Sequence, residues 1–168
     1  IRSQVLIVCT VIIICLSITA SVFSADNESL LWDALTSGDH FALLRHTLAP
    51  GTGDPPEFRL GQCKTQRNLS NKGRDQAGKI GDRFRENNIF EAQIFSSQWC
   101  RCLETAQLLK LGQIEELVAL NSFVGQYERR DSQTEMLLEW LKVQDLDQPF
   151  VLVTHQVNIT ALTGIYPD

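Results

Sequence analysis

The chain has 168 residues, of which 43% are hydrophobic and 21% are charged, and its formal net charge is −5. This composition is typical of one globular domain with enough apolar surface to bury a core. An acidic protein has no general positive field for nucleic acid or anionic lipid, so we expect no nucleic-acid partner. Any phosphate group would have to be bound by a local cluster of cations.

The N-terminus carries the pattern of a targeting leader. Arg2 precedes a run from Val5 to Leu16 that is apolar except for Thr10, and small residues follow the run. This order predicts a signal peptide over residues 1–24 and a mature domain over residues 25–168. An uncleaved anchor is the alternative, although a spanning helix needs about 20 apolar residues. In both cases we expect an exported domain, periplasmic or secreted. If the leader is cleaved, we expect no stable membrane anchor.

Three of the five cysteines lie beyond the predicted leader, at Cys63, Cys100 and Cys102. In an oxidising compartment we expect Cys63 to pair with one of the other two, and the sequence leaves open which one. The Cys-x-Cys spacing, with no further Cys or His pair nearby, is a poor zinc signal. The sequence therefore predicts no metal site.

The first half of the mature chain predicts a helix, a strand, a long loop and a second helix. Residues 29–35 have a helical apolar pattern, and residues 41–44 form a compact apolar run typical of a buried strand. Residues 49–66 are rich in Pro, Gly and polar side chains, which predicts a long loop over the end of that strand. Ser70 is placed to cap a helix over residues 72–87.

The second half predicts strands that alternate with helices. The expected order is strand 94–95, helix 99–109, strand 117–120, charged loop 125–131, helix 134–143, strand 150–154 and helix 157–162. Met136 and Leu137 are expected on the inner face of helix 134–143. The alternation predicts a three-layer α/β/α sandwich with a mostly parallel central sheet and helices on both faces. A further strand is expected after the last helix, so we expect the C-terminus to be truncated.

Phosphate-suited residues follow three of the predicted strands. Arg45 and His46 end the first strand, Arg101 comes shortly after the second, and His155 ends the last. Ligands bind at the carboxyl ends of strands in open α/β sheets, so we expect these four side chains to converge. Each one alone is more often a structural histidine or a solvated arginine. Their combination at three strand ends favours a phosphate pocket.

Four motifs in this order resemble the histidine phosphatase (phosphoglycerate-mutase-like) superfamily. Arg45-His46-Thr47 resembles its Arg-His-Gly signature, and residues 69–77 resemble the helix start that follows. Residues 96–106 match its second arginine motif, and Thr154-His155 matches its second histidine. The resemblance covers residues 41–165.

The resemblance implies a metal-independent phosphomonoester hydrolase without a cofactor. Neutral His46 would attack phosphorus and form a phosphohistidine. Arg45 and Arg101 would hold the non-bridging oxygens, and a protonated His155 would donate to the same oxygens. The implied partner is a small phosphorylated molecule, by analogy a sugar or envelope-glycan phosphate, and the oligomeric state stays open.

Three further residues are predicted to contact the substrate. Thr47 replaces the Gly that the family has beside the nucleophile, and Asn158 lies one helical turn after His155. Arg59 lies in the long loop and could reach over the pocket to bind further negative charge on a substrate, as could Lys64 and Arg67. A solvated charged loop is the alternative for all three.

The general acid is the main departure from the family. The acid-phosphatase branch has an Asp after the second His, where this chain has Gln156. The mutase-like branch has a Glu after Leu-Asn, where this chain has Ser122. The possible replacements are Glu128, Glu57 and Asp54, with a solvated loop carboxylate as the alternative for each. A catalytically weak or inactive phosphate-binding module is therefore the second hypothesis.

Overall fold

Four parallel strands form the centre of the fold, in a computed structural model that describes residues 28–167. The strand order is β1-β4-β2-β3, with all neighbours parallel. The strands are β1 (Ala42–Arg45), β2 (Gln93–Ser96), β3 (Ile114–Glu116) and β4 (Phe150–Thr154). Strand β4 lies between β1 and β2, and its continuous apolar run is buried on both faces of the sheet.

Helices cover both faces of this sheet. They are α1 (28–35), α2 (Asn71–Glu86), α3 (Cys100–Leu109), α4 (Arg130–Leu141) and α5 (Gln156–Thr163). Short 3-10 turns occur at Cys63–Thr65, Val118–Leu120 and Tyr127–Arg129. The predicted three-layer α/β/α sandwich with a parallel sheet is confirmed.

The two faces of β4 supply two separate cores, because successive strand residues point to opposite sides. One core contains Val151 and Val153 and packs against the first three helices, through Leu35, Phe84, Ala106 and Leu109. The other contains Phe150 and Leu152 and packs against α4, through Leu137 and Trp140. Each large apolar side chain buried in this way contributes roughly 1.5–3 kcal/mol.

The strand predicted at residues 117–120 is wrong. The edge strand is β3, which the sequence pattern hides because Glu115 and Glu116 are exposed, and residues 118–120 form a 3-10 turn instead. Helix α4 begins at Arg130, inside the segment predicted as a loop. Met136 was expected on the inner face of α4, but it is 55% exposed.

Helix α2 begins against the segment that follows β1. The Ser70 hydroxyl accepts a hydrogen bond from the main-chain N of Gly73 at 3.0 Å, which is the predicted cap. A Cβ atom at Gly73 would lie 2.2 Å from the carbonyl oxygen of Leu48, so only glycine permits this approach. The predicted signal peptide, residues 1–24, lies outside the described residues. Within residues 28–167, no helix combines the length and apolar character needed to cross a bilayer.

Candidate active site

A cavity of about 780 Å³ lies at the carboxyl ends of three parallel strands. Arg45 and His46 enter it from the end of β1, and His155 enters from the end of β4. Arg101 enters from the first turn of α3, which follows β2. The structure thus brings together the four residues that the sequence predicts to converge.

His46 is held with one ring nitrogen free to react. It is 6% exposed, and its Nδ1 lies 2.8 Å from the carbonyl oxygen of Thr47. A carbonyl only accepts, so Nδ1 carries the hydrogen and Nε2 keeps its lone pair. The pKa of His46 is lowered to about 4, mainly by burial and also by the charges of nearby arginines, which together outweigh the raising effect of the Thr47 hydrogen bond. His46 is therefore neutral at physiological pH.

His155 is also neutral. Its Nδ1 lies 3.4 Å from Nη2 of Arg101, which only donates, so Nδ1 accepts and Nε2–H donates to Ser97 Oγ at 2.8 Å. Burial and then the charge of Arg101 lower the pKa of His155 well below its ordinary value. Without a bound anion, the surrounding cations thus disfavour the positive charge that was expected on His155.

Asp54 holds the guanidinium of Arg101. Arg101 is 3% exposed and donates from Nη1 and Nη2 to the two Asp54 oxygens at 2.7 and 3.2 Å. The same carboxylate accepts from the main-chain N of Arg67 and from Trp99 Nε1 at 3.1 and 2.9 Å. Burial raises the pKa of Asp54, but these hydrogen bonds outweigh it and the pKa is lowered overall. Asp54 is thus an ionised acceptor, while Nε of Arg101 has no partner among the described residues.

The long loop that carries Asp54 is fixed to the start of α3. A disulfide joins Cys63 to Cys100, whereas Cys102 is free and buried. The main-chain N of Cys100 also donates to Gln66 Oε1 at 2.9 Å. This answers the pairing that the sequence left open, and it holds the loop next to Arg101.

The residues predicted to contact the substrate lie elsewhere. Thr47 is buried against Thr105, with the two hydroxyl oxygens 3.2 Å apart. Asn158 is buried and donates to the carbonyl oxygen of Asn121 at 2.9 Å. Arg59 is exposed, and none of these three predicted residues lines the cavity. Arg67, from the same loop as Arg59, does line it, with Nε donating to the carbonyl oxygen of Gly53 at 2.7 Å.

The two positions where relatives have a general acid both face the cavity, but neither can act as one. Ser122 and Gln156 line the cavity wall. Glu128 and Glu57 are exposed, and neither lines the cavity. Among the described residues that line it, Asp54 is the one carboxylate.

Sequence reasoning missed two orienting residues. Ser97 is 0% exposed, accepts from His155 and donates to Asn121 Oδ1 at 3.2 Å, so it fixes the tautomer of His155. Trp99 lines the cavity, stacks on Phe58 with ring centroids 5.0 Å apart and donates to Asp54. The motif around residues 96–106 contained both residues but said nothing of these contacts.

The comparisons with known proteins agree with this architecture. The family model of the histidine phosphatase superfamily (branch 1) matches residues 42–136, more than half of the chain. The chain belongs to this superfamily. A search of curated proteins found no sequence match.

Solved structures share the fold at low sequence identity. SixA of Agrobacterium tumefaciens, described as a phosphohistidine phosphatase, is 24% identical with a TM-score of 0.51, and the match covers 71% of this chain and 70% of that one. A mycobacterial glucosyl-3-phosphoglycerate phosphatase, in complex with inorganic phosphate, is 18% identical with a TM-score of 0.53. That match covers 74% of this chain and 76% of the other.

Proposed function

We propose that the protein is a metal-independent phosphomonoester hydrolase that forms a phosphohistidine at His46. One observation carries the proposal. The Nδ1–H of buried His46 donates to Thr47, which leaves Nε2 neutral and nucleophilic in a cavity that Arg45 and Arg101 also line. Guanidinium groups match the geometry of phosphate oxygens and keep their charge.

The reaction has two displacements. Nε2 of His46 forms a bond to phosphorus as the bond to the leaving oxygen breaks, and that oxygen then takes up a proton. A water molecule next attacks phosphorus, loses a proton to solvent and releases inorganic phosphate, so His46 is restored. The Nδ1 hydrogen bond to Thr47 stabilises the positive charge that the ring carries as a phosphohistidine.

The weak point of this mechanism is protonation of the leaving oxygen. Ser122 and Gln156 are not acids, and the lowered pKa of Asp54 keeps that carboxylate ionised. Esters whose leaving group is stable without protonation should therefore react fastest.

The test is hydrolysis of p-nitrophenyl phosphate by the full chain and by His46→Ala. We expect the variant to lose about 10³-fold or more in kcat/KM, because a nucleophile is removed. His40→Ala is the matched control, because His40 is exposed and lies outside the cavity. Equal rates for wild type and His46→Ala would contradict the phosphohistidine route.

We further propose an exported role on a sugar phosphate or envelope-glycan phosphate. The leader pattern supports export, and a cavity of about 780 Å³ has room for much more than a phosphate group. A protein of similar fold is a glucosyl-3-phosphoglycerate phosphatase, which has a sugar-containing phosphate substrate by its name. Mass spectrometry of the mature N-terminus from the periplasmic fraction tests export, with a start near Ala25 expected.

A phosphate-binding module is the second candidate function. The absence of a protonated carboxyl group among the described cavity residues favours it, because binding needs no acid. In that case the folded protein binds inorganic phosphate in calorimetry but releases no p-nitrophenol above the rate of His46→Ala.

A further inference from the structure

The cavity carries more positive charge than one phosphate group can neutralise. Four arginines line it, Arg45, Arg67, Arg101 and Arg129, against one carboxylate among the described residues, that of Asp54. With both histidines neutral, the surplus is 4 − 1 = 3 positive charges. A phosphate monoester carries about −1.5 to −2 near neutral pH, so about one positive charge remains.

Two of these arginines, Arg67 and Arg129, are not used by the proposed chemistry at His46. Arg67 donates to the main-chain carbonyl oxygens of Gly53 and Ala49, whereas Arg129 is held by side chains. Its Nη1 and Nη2 donate to the side-chain oxygens of Gln126 and Gln133 at 2.7 and 2.9 Å. Both acceptors are neutral, and within residues 28–167 no carboxylate pairs with it. The next residue, Arg130, differs because its Nε donates to Asp131 at 2.7 Å. Arg129 is thus held in place without being neutralised.

The orientation of Arg129 is fixed from the protein core. Gln133 is 4% exposed, and its Nε2 donates to the carbonyl oxygens of Ala119 and Asn121. Both amide hydrogens are used in this way, so the amide oxygen of Gln133 faces Arg129. A surface arginine samples many rotamers, whereas this one is anchored to a buried amide.

The segment that carries Arg129, residues 122–129, is also connected to the histidine site by hydrogen bonds. Asn121 accepts from Ser97 Oγ at 3.2 Å, and Ser97 in turn orients His155. Residues 122–129 follow Asn121 directly and contribute Ser122, Val124, Gly125, Gln126, Tyr127 and Arg129 to the cavity lining. The separation between Arg129 and the histidines is therefore set by one hydrogen-bonded network.

We infer that Arg129 recognises a second anionic group, a phosphate or a carboxylate, on the phosphorylated substrate. This inference rests on the proposed function of the histidine site and specifies its substrate class. The preferred substrate is a small molecule with a phosphate ester at His46 and a second anion at Arg129. A guanidinium fork suits either anion, and a charge-assisted hydrogen bond is stronger than a neutral one, so it contributes to selectivity.

The experiment compares three probes that share a six-carbon scaffold. Glucose 6-phosphate carries one anionic group, glucose 1,6-bisphosphate adds a phosphate, and 6-phosphogluconate adds a carboxylate. We expect initial rates of phosphate release by the full chain to give kcat/KM for at least one doubly anionic probe about tenfold above that for glucose 6-phosphate. Whichever probe shows the preference identifies the second anion.

Two variants assign that preference to Arg129. Arg129→Gln should reduce the ratio of the two kcat/KM values to about one, whereas Arg129→Lys should keep part of it. Arg130→Gln removes the same charge one residue away, outside the cavity, and should leave the ratio as it is in the wild type. A wild-type ratio near one for both doubly anionic probes, or equal losses in Arg129→Gln and Arg130→Gln, would overturn the inference.

Failure of the proposed function gives a different result, because the wild type would then release no phosphate from any probe. Calorimetric titration with the same three compounds then tests the inference alone. Tighter binding of a doubly anionic probe that Arg129→Gln abolishes supports it. Equal affinities for all three compounds overturn it.

Discussion

The Asp54 carboxylate and the Arg101 guanidinium form two hydrogen bonds, at 2.7 and 3.2 Å, across 47 residues of sequence. Arg101 is one of the two arginines that the family pattern assigns to phosphate, so a carboxylate shares a guanidinium on which a bound phosphate would depend. Asp54 has four donors around it and remains in place as an anion. Its charge should weaken phosphate binding while it stabilises the fold.

Asp54→Asn is therefore expected to have opposite effects on affinity and stability. Removing a negative charge beside the anion site should lower the Kd for inorganic phosphate by roughly threefold to tenfold, since a charge a few ångströms away contributes about 1 kcal/mol. Leaving Arg101 buried without its partner should cost about 3 kcal/mol of unfolding free energy. Calorimetry with phosphate and urea unfolding measure the two effects.

The matched control is Glu57→Gln, which removes the same charge from the same loop. Glu57 is exposed and outside the cavity, so neither quantity should change by more than about 0.5 kcal/mol. Weaker phosphate binding by Asp54→Asn would instead mean that Asp54 acts mainly by orienting Arg101.

Acid should destabilise the protein through His46. The pKa of His46 falls from 6.5 to about 4 on folding, so the unfolded chain binds the proton more readily between these values. Stability from this histidine is complete above pH 6.5 and declines as the pH falls towards 4, by roughly 3 kcal/mol. His155, with its lowered pKa, acts in the same direction.

Urea unfolding of wild type and His46→Asn at pH 7 and pH 4.5 measures this contribution. The variant has no imidazole at this position, so its loss of stability over this range should be smaller than that of the wild type by about 2–3 kcal/mol. His40→Asn, at an exposed histidine, should behave like the wild type. Equal losses in wild type and His46→Asn would show that the folded protein does not hold His46 neutral.

The sequence predicted the parts of the fold that depend on local pattern. The run at residues 150–154 is apolar on both faces, which specifies a central parallel strand whatever its neighbours are. The capping role of Ser70 follows equally from local chemistry. Strand β3 was missed because its pairing with β2 uses the backbone, while two of its three side chains are exposed glutamates.

The candidate site was predictable in its strand-end residues but not in its loop contacts. His46 and His155 converge because parallel strands place their carboxyl ends at one edge of the sheet. Which loop carboxylate enters the cavity depends on how residues 49–66 fold, and no local pattern distinguishes Asp54 from Glu57. Whether His155 is charged depends on the cations around it, so the ordinary pKa of histidine was a poor guide.

The disulfide should contribute substantially to stability because it closes a long loop. Cys63 and Cys100 are 37 residues apart, and the chain-entropy relation for a loop of that length gives about 4 kcal/mol. We expect the Cys63→Ala, Cys100→Ala double variant to lose about this amount in urea unfolding. Reducing agent should destabilise the wild type similarly and leave the double variant unchanged. A large response of the double variant to reducing agent would point to another source of the stabilisation.

Two glycines of helix α2 should respond oppositely to alanine. A Cβ at Gly73 would lie 2.2 Å from the carbonyl oxygen of Leu48, whereas a Cβ at Gly78 meets nothing within 4 Å. Gly78→Ala should therefore stabilise the helix by roughly 0.5–1 kcal/mol, and Gly73→Ala should destabilise the protein by about 1–3 kcal/mol. Leu48 follows Thr47, whose carbonyl fixes the tautomer of His46, so Gly73→Ala should also lower kcat/KM on p-nitrophenyl phosphate. If Gly73→Ala loses stability with unchanged kcat/KM, the start of helix α2 has shifted to relieve the clash while the His46–Leu48 segment has kept its position.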